Sequence, residues 1–434
     1  MAYRDFDDIA LDRRALLRSG ALFGGGALLA GSPFTAALAK APLGGWPAVT
    51  AMVEDYVAQR KVANMVATLG WGQQAPNYIM RGGLTVGQPA MAGPDSLYRI
   101  YSMTKPITGM AAMILIDEGK LGLDQPLAEI LPAYAKMRVL KNPTGPIEDT
   151  VAAERPITIR HLLTHTAGLG YEIVNTGPIK SAYQRYGMLP AQVSRIALPG
   201  FGDYKTIVGL DKFADGLARL PLVYQPGTKW SYSVALDVMG RVIEVVSKQP
   251  FDRFLSDRIF KPSGMTSTWF RVPASEVGRL TTNYGVLNGT LIPIDPARSS
   301  VYLDQPAFPF GGAGLVSSPR DYDRFLRMLA GLGAIDGKRV MSERAVRLGT
   351  SDLLPAGVRA GDGAGFGAGG RSQGGNYGWG GAAGTVAFVN IGSGLRGNLM
   401  TQYMPSEAWP VHSAFPAAVL KDVAAMMADK KVAA

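Results

Sequence analysis

The order of strand-like and helix-like segments along these 434 residues restricts the possible folds. Towards the N-terminal end, ANMVATLGWG and YIMRGGLTVG are typical of two strands joined by a polar loop at residues 73–77. Towards the C-terminal end, YGWGGAAGTVAFVN and LRGNLMTQYM are typical of glycine-rich strands. Residues 121–305 are mostly helical and rich in loops. We therefore expect an α/β (α+β) fold in which residues 40–120 and 306–434 form one domain. An inserted, mainly helical domain at residues 121–305 would interrupt it, with a cleft between the two.

Local signals place several elements within this frame. Apolar residues recur at helical spacing from Ser102 to Gly119, and a glycine there is a helix stop. The segments VALDVMGRVIEVVSK and FDRFLSDRIF predict two further helices, and AFPAAVLKDVAAMMADK predicts a closing amphipathic helix. Asn288-Gly289 within YGVLNGTLIPI supplies the positive-φ turn of a hairpin. Either Ser317 or Ser318 is expected to cap the helix in VSSPRDYDRFLRMLAGLG.

Composition excludes several classes of site. The chain has no cysteine, so disulfides, thiolate nucleophiles and cysteine-ligated metals are excluded. The hydrophobic fraction of 47% is enough for a large buried core. The net charge is +10, but Lys and Arg are scattered and form no basic run or nucleic-acid module. We therefore expect a solvated basic surface and no nucleic-acid partner.

Residues 1–39 resemble a twin-arginine export signal. Arg13-Arg14 precede a weakly apolar stretch, and Ala37-Leu38-Ala39 fits a small-x-small cleavage pattern. Asp12 departs from the Ser or Thr that is usual at that position. Because glycines and Ser32-Pro33 interrupt the apolar run, it is a poor membrane span. We expect export of a folded protein to the periplasm without stable membrane insertion, and the alternative is an uncleaved N-terminal tail.

Ser102 and Lys105 have the spacing of a nucleophile and its base. Side chains at i and i+3 of a helix share one face, with Cβ atoms about 5–6 Å apart. A serine at a helix start also has free backbone N–H groups and the positive end of the helix dipole nearby. A serine hydroxyl is a weak nucleophile until a base removes its proton, and a lysine in a suitable environment can be that base. The alternative interpretation is a helix cap followed by an exposed lysine.

Five segments, in order along residues 50–405, resemble the serine β-lactamase and penicillin-recognising superfamily. They are YSMTKPITGMAAMILIDEGKLGLDQPLAEILP, ITIRHLLTHTAGL, YQPGTKWSYSVALDVMGRVIEVVSKQPFDRFLSDRIFKPSGM, GGAGLVSSPRDYDRFLRMLAGLG and YGWGGAAGT. Each motif alone is weak, whereas the combination is specific. The resemblance implies a β-lactamase/transpeptidase-like fold, with an antiparallel sheet flanked by helices and an inserted mainly helical domain.

The resemblance also implies roles for individual residues. It makes Ser102 the acylated nucleophile, Lys105 its base partner, and Tyr232 the group that exchanges protons with nucleophile and leaving group. Trp379-Gly380-Gly381 stands where K-T-G or H-T-G is common, and W-G-G is familiar from family VIII carboxylesterases and related acyltransferases. By that likeness the segment Trp379–Gly381 contacts the substrate. The N–H groups of Ser102 and Ala382 would form the oxyanion hole.

Two departures from the β-lactam-binding pattern indicate an ester substrate. The second motif is commonly Y-x-N, but here Val234 replaces the asparagine and cannot hydrogen-bond an amide. Trp379 replaces the cation that would hold a substrate carboxylate. We therefore expect a serine hydrolase that forms an acyl-enzyme, a carboxylesterase acting on small-molecule esters with small or medium acyl groups. No metal or organic cofactor is needed.

Two alternatives to the esterase remain. One is a β-lactamase or D-Ala-D-Ala peptidase. The other is a non-catalytic, ligand-binding member of the fold, against which the intact Ser102, Lys105 and Tyr232 argue.

The glycine-rich stretch GAGFGAGGRSQGGNYGWGG contains two competing motifs. Its G-R-S-Q-G has the form of a nucleophile elbow, and Ser372, Glu407 and His412 follow the order of an α/β-hydrolase triad. An elbow needs a buried strand before the serine and a helix after it, whereas the glycines around Ser372 favour a hairpin. Its G-F-G-A-G-G resembles a dinucleotide loop, but the required downstream acidic residue is missing.

His161 and His165 form a pair four residues apart in HLLTHTAGL. That spacing suits two metal ligands, but no third ligand motif such as H-E-x-x-H accompanies them. We therefore expect packing and hydrogen bonding at a helix end.

Overall fold

A computed structural model describes residues 45–196 and 205–432, the side chains of residues 429–432 excepted. Its centre is a seven-stranded antiparallel sheet made from both ends of the chain. In spatial order the strands are β11 (Gly365–Phe366), β12 (Arg371–Gln373), β13 (Asn376–Gly380), β14 (Val386–Asn390), β15 (Leu395–Met400), β1 (Asn64–Trp71) and β2 (Asn77–Gly82). The antiparallel sheet flanked by helices is the fold that the sequence predicted.

Strands β1 and β15 are buried along their whole length, because helices cover both faces of the sheet. One face packs against α1 (Pro47–Ala58) and α11 (Val411–Val432), which also contact each other. The other face packs against α9 (Pro319–Ala330). Alternate residues of β1 therefore enter two different cores, as the period of two in a strand requires.

The remaining elements surround the inserted region and the edge of the sheet. The other helices are α2 (Thr104–Asp117), α3 (Ile159–Leu163), α4 (Pro178–Arg185), α5 (Leu210–Leu217), α6 (Ala235–Ser247), α7 (Phe251–Leu255), α8 (Lys261–Ser263) and α10 (Glu343–Thr350). The short strands pair as β3 (Tyr98–Arg99) with β8 (Val316–Ser317), β4 (Arg138–Leu140) with β5 (Thr150–Ala152), and β9 (Ala334–Ile335) with β10 (Lys338–Arg339). A three-stranded sheet joins β16 (Tyr403–Met404), β6 (Asn283–Leu287) and β7 (Thr290–Asp295).

Several local predictions are confirmed, with two refinements. Asn288 and Gly289 have φ angles of +48° and +76° in the turn between β6 and β7. Ser318 is the residue that caps α9, because its Oγ accepts the Asp321 N–H at 3.1 Å. The helix expected from Ser102 begins with a 3₁₀ turn before α2.

The export signal expected at residues 1–39 lies outside the described residues. Within the described part of the chain, no helix is both long and apolar enough to cross a membrane.

Helix α2 runs through the middle of the protein and is buried from Thr104 to Leu115. Gly109 makes this position possible, because a Cβ at this residue would overlap the carbonyl oxygen of Ala368. The helix therefore lies directly against the loop between β11 and β12, which fixes its first turn relative to the sheet.

Arg99 anchors the strand that leads into α2. Its guanidinium donates to Asp295 Oδ2 at 2.7 Å, to the Thr281 carbonyl at 2.6 Å and to Ser300 Oγ at 3.0 Å. The side chains of Arg99 and Asp295 are 0% and 1% exposed. Gln402 Oε1 accepts the backbone N–H of Arg99 at 3.1 Å. One buried cation thus connects β3 to the β6–β7 hairpin and to the segment after β15.

Replacing Arg99 by methionine should destabilise the protein by about 3–5 kcal/mol, because it leaves the Asp295 carboxylate buried without its cation. The measurement is guanidinium-induced unfolding followed by tryptophan fluorescence. Arg320→Met is the matched control. It removes an ion pair with Asp95 whose side chains are 50% and 56% exposed, and such pairs contribute at most about 1 kcal/mol. Equal losses for the two variants would contradict the anchoring role.

Candidate active site

Ser102 lies where strand β3 turns into α2. Tyr101, just before it, is a non-glycine residue with φ of +41°. This left-handed conformation costs about 1–3 kcal/mol and persists only where packing enforces it. The buried Tyr101 ring packs edge-on against Tyr302 with centroids 6.2 Å apart. The turn leaves Ser102 partly exposed at the N-terminal end of α2.

Three side chains meet at Ser102. Its Oγ lies 2.6 Å from the hydroxyl of Tyr232, and Lys105 Nζ donates to the same Oγ at 3.1 Å. Lys105 Nζ also lies 4.5 Å from the centroid of the Tyr232 ring. The structure thus brings together the three residues expected to carry the chemistry, at distances that allow proton transfer between them.

Lys105 is held by the backbone of Gly312, which also contacts a buried acid. Its Nζ donates to the Gly312 carbonyl at 2.7 Å, and the Gly312 N–H donates to Asp237 Oδ1 at 2.9 Å. A Cβ on Gly312 would lie 2.6 Å from Asp237 Oδ2, so any other residue here would have to displace the carboxylate. Asp237 and Gly312 were not predicted from the sequence. The available signal was an acidic residue in the otherwise apolar first part of α6.

Burial shifts the pKa of Asp237 and of a second acid that interacts with it, Glu172. It raises the pKa of Asp237 to about 7, although the Lys105 charge and the Gly312 N–H both act in the opposite direction. Burial also raises the pKa of Glu172 to about 7, with the nearby Lys180 charge opposing the shift and Asp237 adding to it. Both carboxyl groups therefore change charge near neutral pH.

The segment Trp379-Gly380-Gly381 borders the same site. A Cβ on Gly381 would overlap the carbonyl oxygen of Ile100 and Thr385 Oγ1, so this glycine allows close approach to the residues before Ser102. Its N–H donates to the Thr385 carbonyl at 2.7 Å, which fixes the turn that carries Ala382. The Trp379 ring lies 5.8 Å from the Tyr232 ring. The structure thus places the predicted substrate-binding segment beside the serine.

Aromatic rings form a continuous wall around Tyr232. The Tyr171 ring lies 5.7 Å from it, and the Trp230 ring 6.4 Å. Phe366 connects the wall, with centroids 5.7 Å from Trp230 and 5.3 Å from Trp379. The surroundings of the candidate nucleophile are therefore largely apolar.

The competing Ser372 triad is not assembled. Ser372 lies in β12 beside the Gly374-Gly375 turn, and its hydroxyl donates to the Thr350 carbonyl at 2.7 Å. His412 Nε2 lies instead 3.0 Å from the Thr385 carbonyl oxygen. The G-x-G-x-x-G sequence leads into strand β12 and not into a helix, so it is not a dinucleotide loop. The stretch is the hairpin that the sequence favoured.

The two histidines of HLLTHTAGL are hydrogen-bonded separately. His161 belongs to a capping box at the start of α3, where its Nδ1 accepts the Thr158 N–H at 3.1 Å. The His165 side chain instead reaches Ser233, with Nδ1 3.0 Å from Oγ. Among the residues that the structure describes, no group of three or more His, Asp or Glu side chains could hold a metal ion.

Comparison with known proteins agrees with this architecture. A family profile described as Beta-lactamase matches residues 49–420. The chain belongs to the beta-lactamase family. Esterase EstB of Burkholderia gladioli is 30% identical over 334 residues, which cover 71% of this chain and 77% of that relative. Protein Rv1367c of Mycobacterium tuberculosis is 41% identical over 260 residues, and this match spans 60% of each chain.

A solved structure has the same fold. It is EstCE1, described as a hydrolase with promiscuous acyltransferase activity. Its TM-score is 0.69 at 24% identity, and the superposition covers 90% of this chain and 100% of the other. The β-lactamase/transpeptidase-like fold predicted from the sequence is thus confirmed.

Proposed function

We propose that this chain is a serine carboxylesterase that works through an acyl-enzyme on Ser102. The observation that carries the proposal is the hydrogen-bonded group at Ser102 Oγ, with Tyr232 OH at 2.6 Å and Lys105 Nζ at 3.1 Å. The names of the relatives EstB, an esterase, and EstCE1, a hydrolase, support the same class.

The reaction has two halves. Ser102 Oγ attacks the ester carbonyl carbon while its proton passes to Lys105 Nζ. As the ester C–O bond then breaks, Tyr232 OH gives a proton to the departing alcohol and regains one from Lys105. Water, or an acceptor alcohol, next attacks the acyl-enzyme, and its proton returns to Ser102 Oγ as the acyl–oxygen bond to the serine breaks. In both halves the N–H groups of Ser102 and Ala382 hold the oxyanion, each contributing about 3–4 kcal/mol.

The apolar character of the site favours esters over β-lactams or peptides. Val234, in place of the usual asparagine, is fully buried, and its N–H donates to the Gly170 carbonyl at 3.2 Å. Trp379 contributes an indole ring where relatives carry a cation. The Val234 side chain cannot hydrogen-bond an amide, and the Trp379 side chain has no charge to pair with a carboxylate, so an uncharged ester with a small or medium acyl group fits best.

Ser102→Ala should abolish the hydrolysis of p-nitrophenyl acetate and butyrate, because it removes the attacking oxygen. Ser372→Ala is the matched control and should retain most of the activity, since its hydroxyl only donates to the Thr350 carbonyl. The release of p-nitrophenol measures both. Labelling with a fluorophosphonate, followed by peptide mapping, should give an adduct on Ser102.

The opposite pattern, with activity lost in Ser372→Ala and kept in Ser102→Ala, would overturn the assignment. Faster hydrolysis of a chromogenic cephalosporin than of the short esters would instead favour a β-lactamase or D-Ala-D-Ala peptidase. Absence of the Ser102 adduct, together with no turnover, would favour a non-catalytic binding protein.

Asp237 assists this chemistry through its charge. Lys105 Nζ becomes positively charged when it accepts the serine proton. The Gly312 carbonyl oxygen accepts a hydrogen bond from Nζ, and the Gly312 N–H, in the preceding peptide group, holds the Asp237 carboxylate nearby. In a buried site both the carbonyl dipole and the carboxylate favour that positive charge. Ionised Asp237 therefore accelerates the first half of the reaction.

Asp237→Asn should lower kcat/KM about tenfold at pH 8, because it removes the negative charge but keeps an acceptor for the Gly312 N–H. The wild-type kcat/KM should fall as the pH is lowered through about 7, where Asp237 takes up its proton. The variant should lack that step. Glu172→Gln is the control, because Glu172 also titrates near pH 7. If the fall in kcat/KM near pH 7 disappears in Glu172→Gln but persists in Asp237→Asn, then Glu172 and not Asp237 causes it.

We also propose that the protein is exported to the periplasm by the twin-arginine segment at residues 1–39. Replacing Arg13 and Arg14 by lysine should keep the protein in the cytoplasm, because the segment then loses its recognition feature. Immunoblotting of periplasmic and cytoplasmic fractions measures the distribution. Unchanged periplasmic protein in the double variant would refute this route.

A further inference from the structure

His165 is hydrogen-bonded to the backbone on both sides of Tyr232. Its carbonyl oxygen accepts the N–H of Ser231 at 3.0 Å, and its Nδ1 accepts the N–H of Ser233 at 3.2 Å. The His165 ring also lies against the Tyr232 ring, with centroids 4.9 Å apart. His165 thus contacts Tyr232 and both of its neighbours in the sequence: it bonds the backbone of Ser231 and Ser233 and packs against the Tyr232 ring.

The backbone of His165 has a conformation that few residues other than glycine adopt. Its φ angle is +56°, in the left-handed region, and its side chain is 0% exposed. Such a conformation costs about 1–3 kcal/mol and clusters at functional sites. Here its carbonyl and its ring both reach the segment 231–233.

The hydrogen bond between His165 and the Ser233 N–H requires one protonation state of the imidazole ring. A backbone N–H can only donate, so the bond from Ser233 makes Nδ1 an acceptor and places the ring proton on Nε2. A second proton on Nδ1 would break this bond. Burial, and next the charge of Lys105, lower the pKa of His165 well below its usual range, which keeps the ring neutral.

We propose that His165 is the positioning residue for Tyr232, holding its hydroxyl within hydrogen-bond distance of Ser102 Oγ. This inference rests on the proposed function, in which Tyr232 moves protons during acyl transfer. His165 acts through Tyr232, so its loss should slow proton transfer without weakening the binding of substrate.

Two variants separate the effect of the His165–Ser233 hydrogen bond on activity from the effect of the imidazole volume. His165→Leu keeps much of the volume but has no acceptor, and it should lower kcat about 100-fold, the lower end of what a positioned acid–base group contributes. KM should stay within about twofold. His165→Asn should recover most of kcat, because Asn Oδ1 can accept the Ser233 N–H and asparagine tolerates positive φ.

A matched control is available in His161→Leu. His161 is also buried, and its Nδ1 also accepts a backbone N–H, but it caps α3 instead of holding Tyr232. This variant should lower the melting temperature while kcat stays within about twofold. A comparable loss of kcat in His161→Leu would show that general destabilisation explains the effect and would overturn the inference.

A double-mutant cycle with Tyr232→Phe gives the decisive result. If His165 acts through Tyr232, His165→Leu should lower the residual kcat of Tyr232→Phe by less than about threefold. A full 100-fold loss in that background would overturn the inference while leaving the esterase assignment intact. Full activity in Ser102→Ala would overturn both. If His165→Leu does not fold, the cycle is run with His165→Ala, which also lacks the acceptor. Its effect on kcat should likewise be lost in the Tyr232→Phe background.

Discussion

The burial of Lys105 is the interaction on which the candidate site depends. A primary amine that is 1% exposed has lost its water, and the protein must replace each hydrogen bond that water supplied. Ser102 Oγ and the Gly312 carbonyl do so, while the Tyr232 ring covers a further side. Because these groups come from distant parts of the sequence, the amine is satisfied only when the whole fold is formed.

The sheet provides the frame that brings those parts together. Strand β13 carries the W-G-G segment, whereas the serine follows β3 at the other end of the chain. Contact between Gly381 and Ile100 joins the two, and Gly369 fits against the backbone of Lys105 from the neighbouring loop. The glycine-rich composition of this region therefore reflects backbone surfaces that pack without side chains between them.

Features set by local sequence could be predicted, whereas those set by distant contacts could not. The spacing of Ser102 and Lys105, the Asn288-Gly289 hairpin and the strands around W-G-G all follow from short-range patterns. The pairing of Asp237 with Gly312 depends on residues 75 positions apart, and no pattern marks it. The left-handed backbone of His165 could not be predicted either, because only a small minority of histidines adopt a positive φ. Val234 argues against an amide or β-lactam substrate, but it is informative only through the family resemblance.

The position of β1 between β15 and β2 has a consequence for how the protein is made. This strand is completed early in synthesis, yet Asn64 at its start bonds Thr401, which follows 337 positions later. At about 5–20 residues per second, the ribosome needs roughly 20–70 s to reach that partner. During this interval an apolar strand from the interior of a sheet has no neighbour on one side. The sheet therefore cannot be completed until β15 has been synthesised.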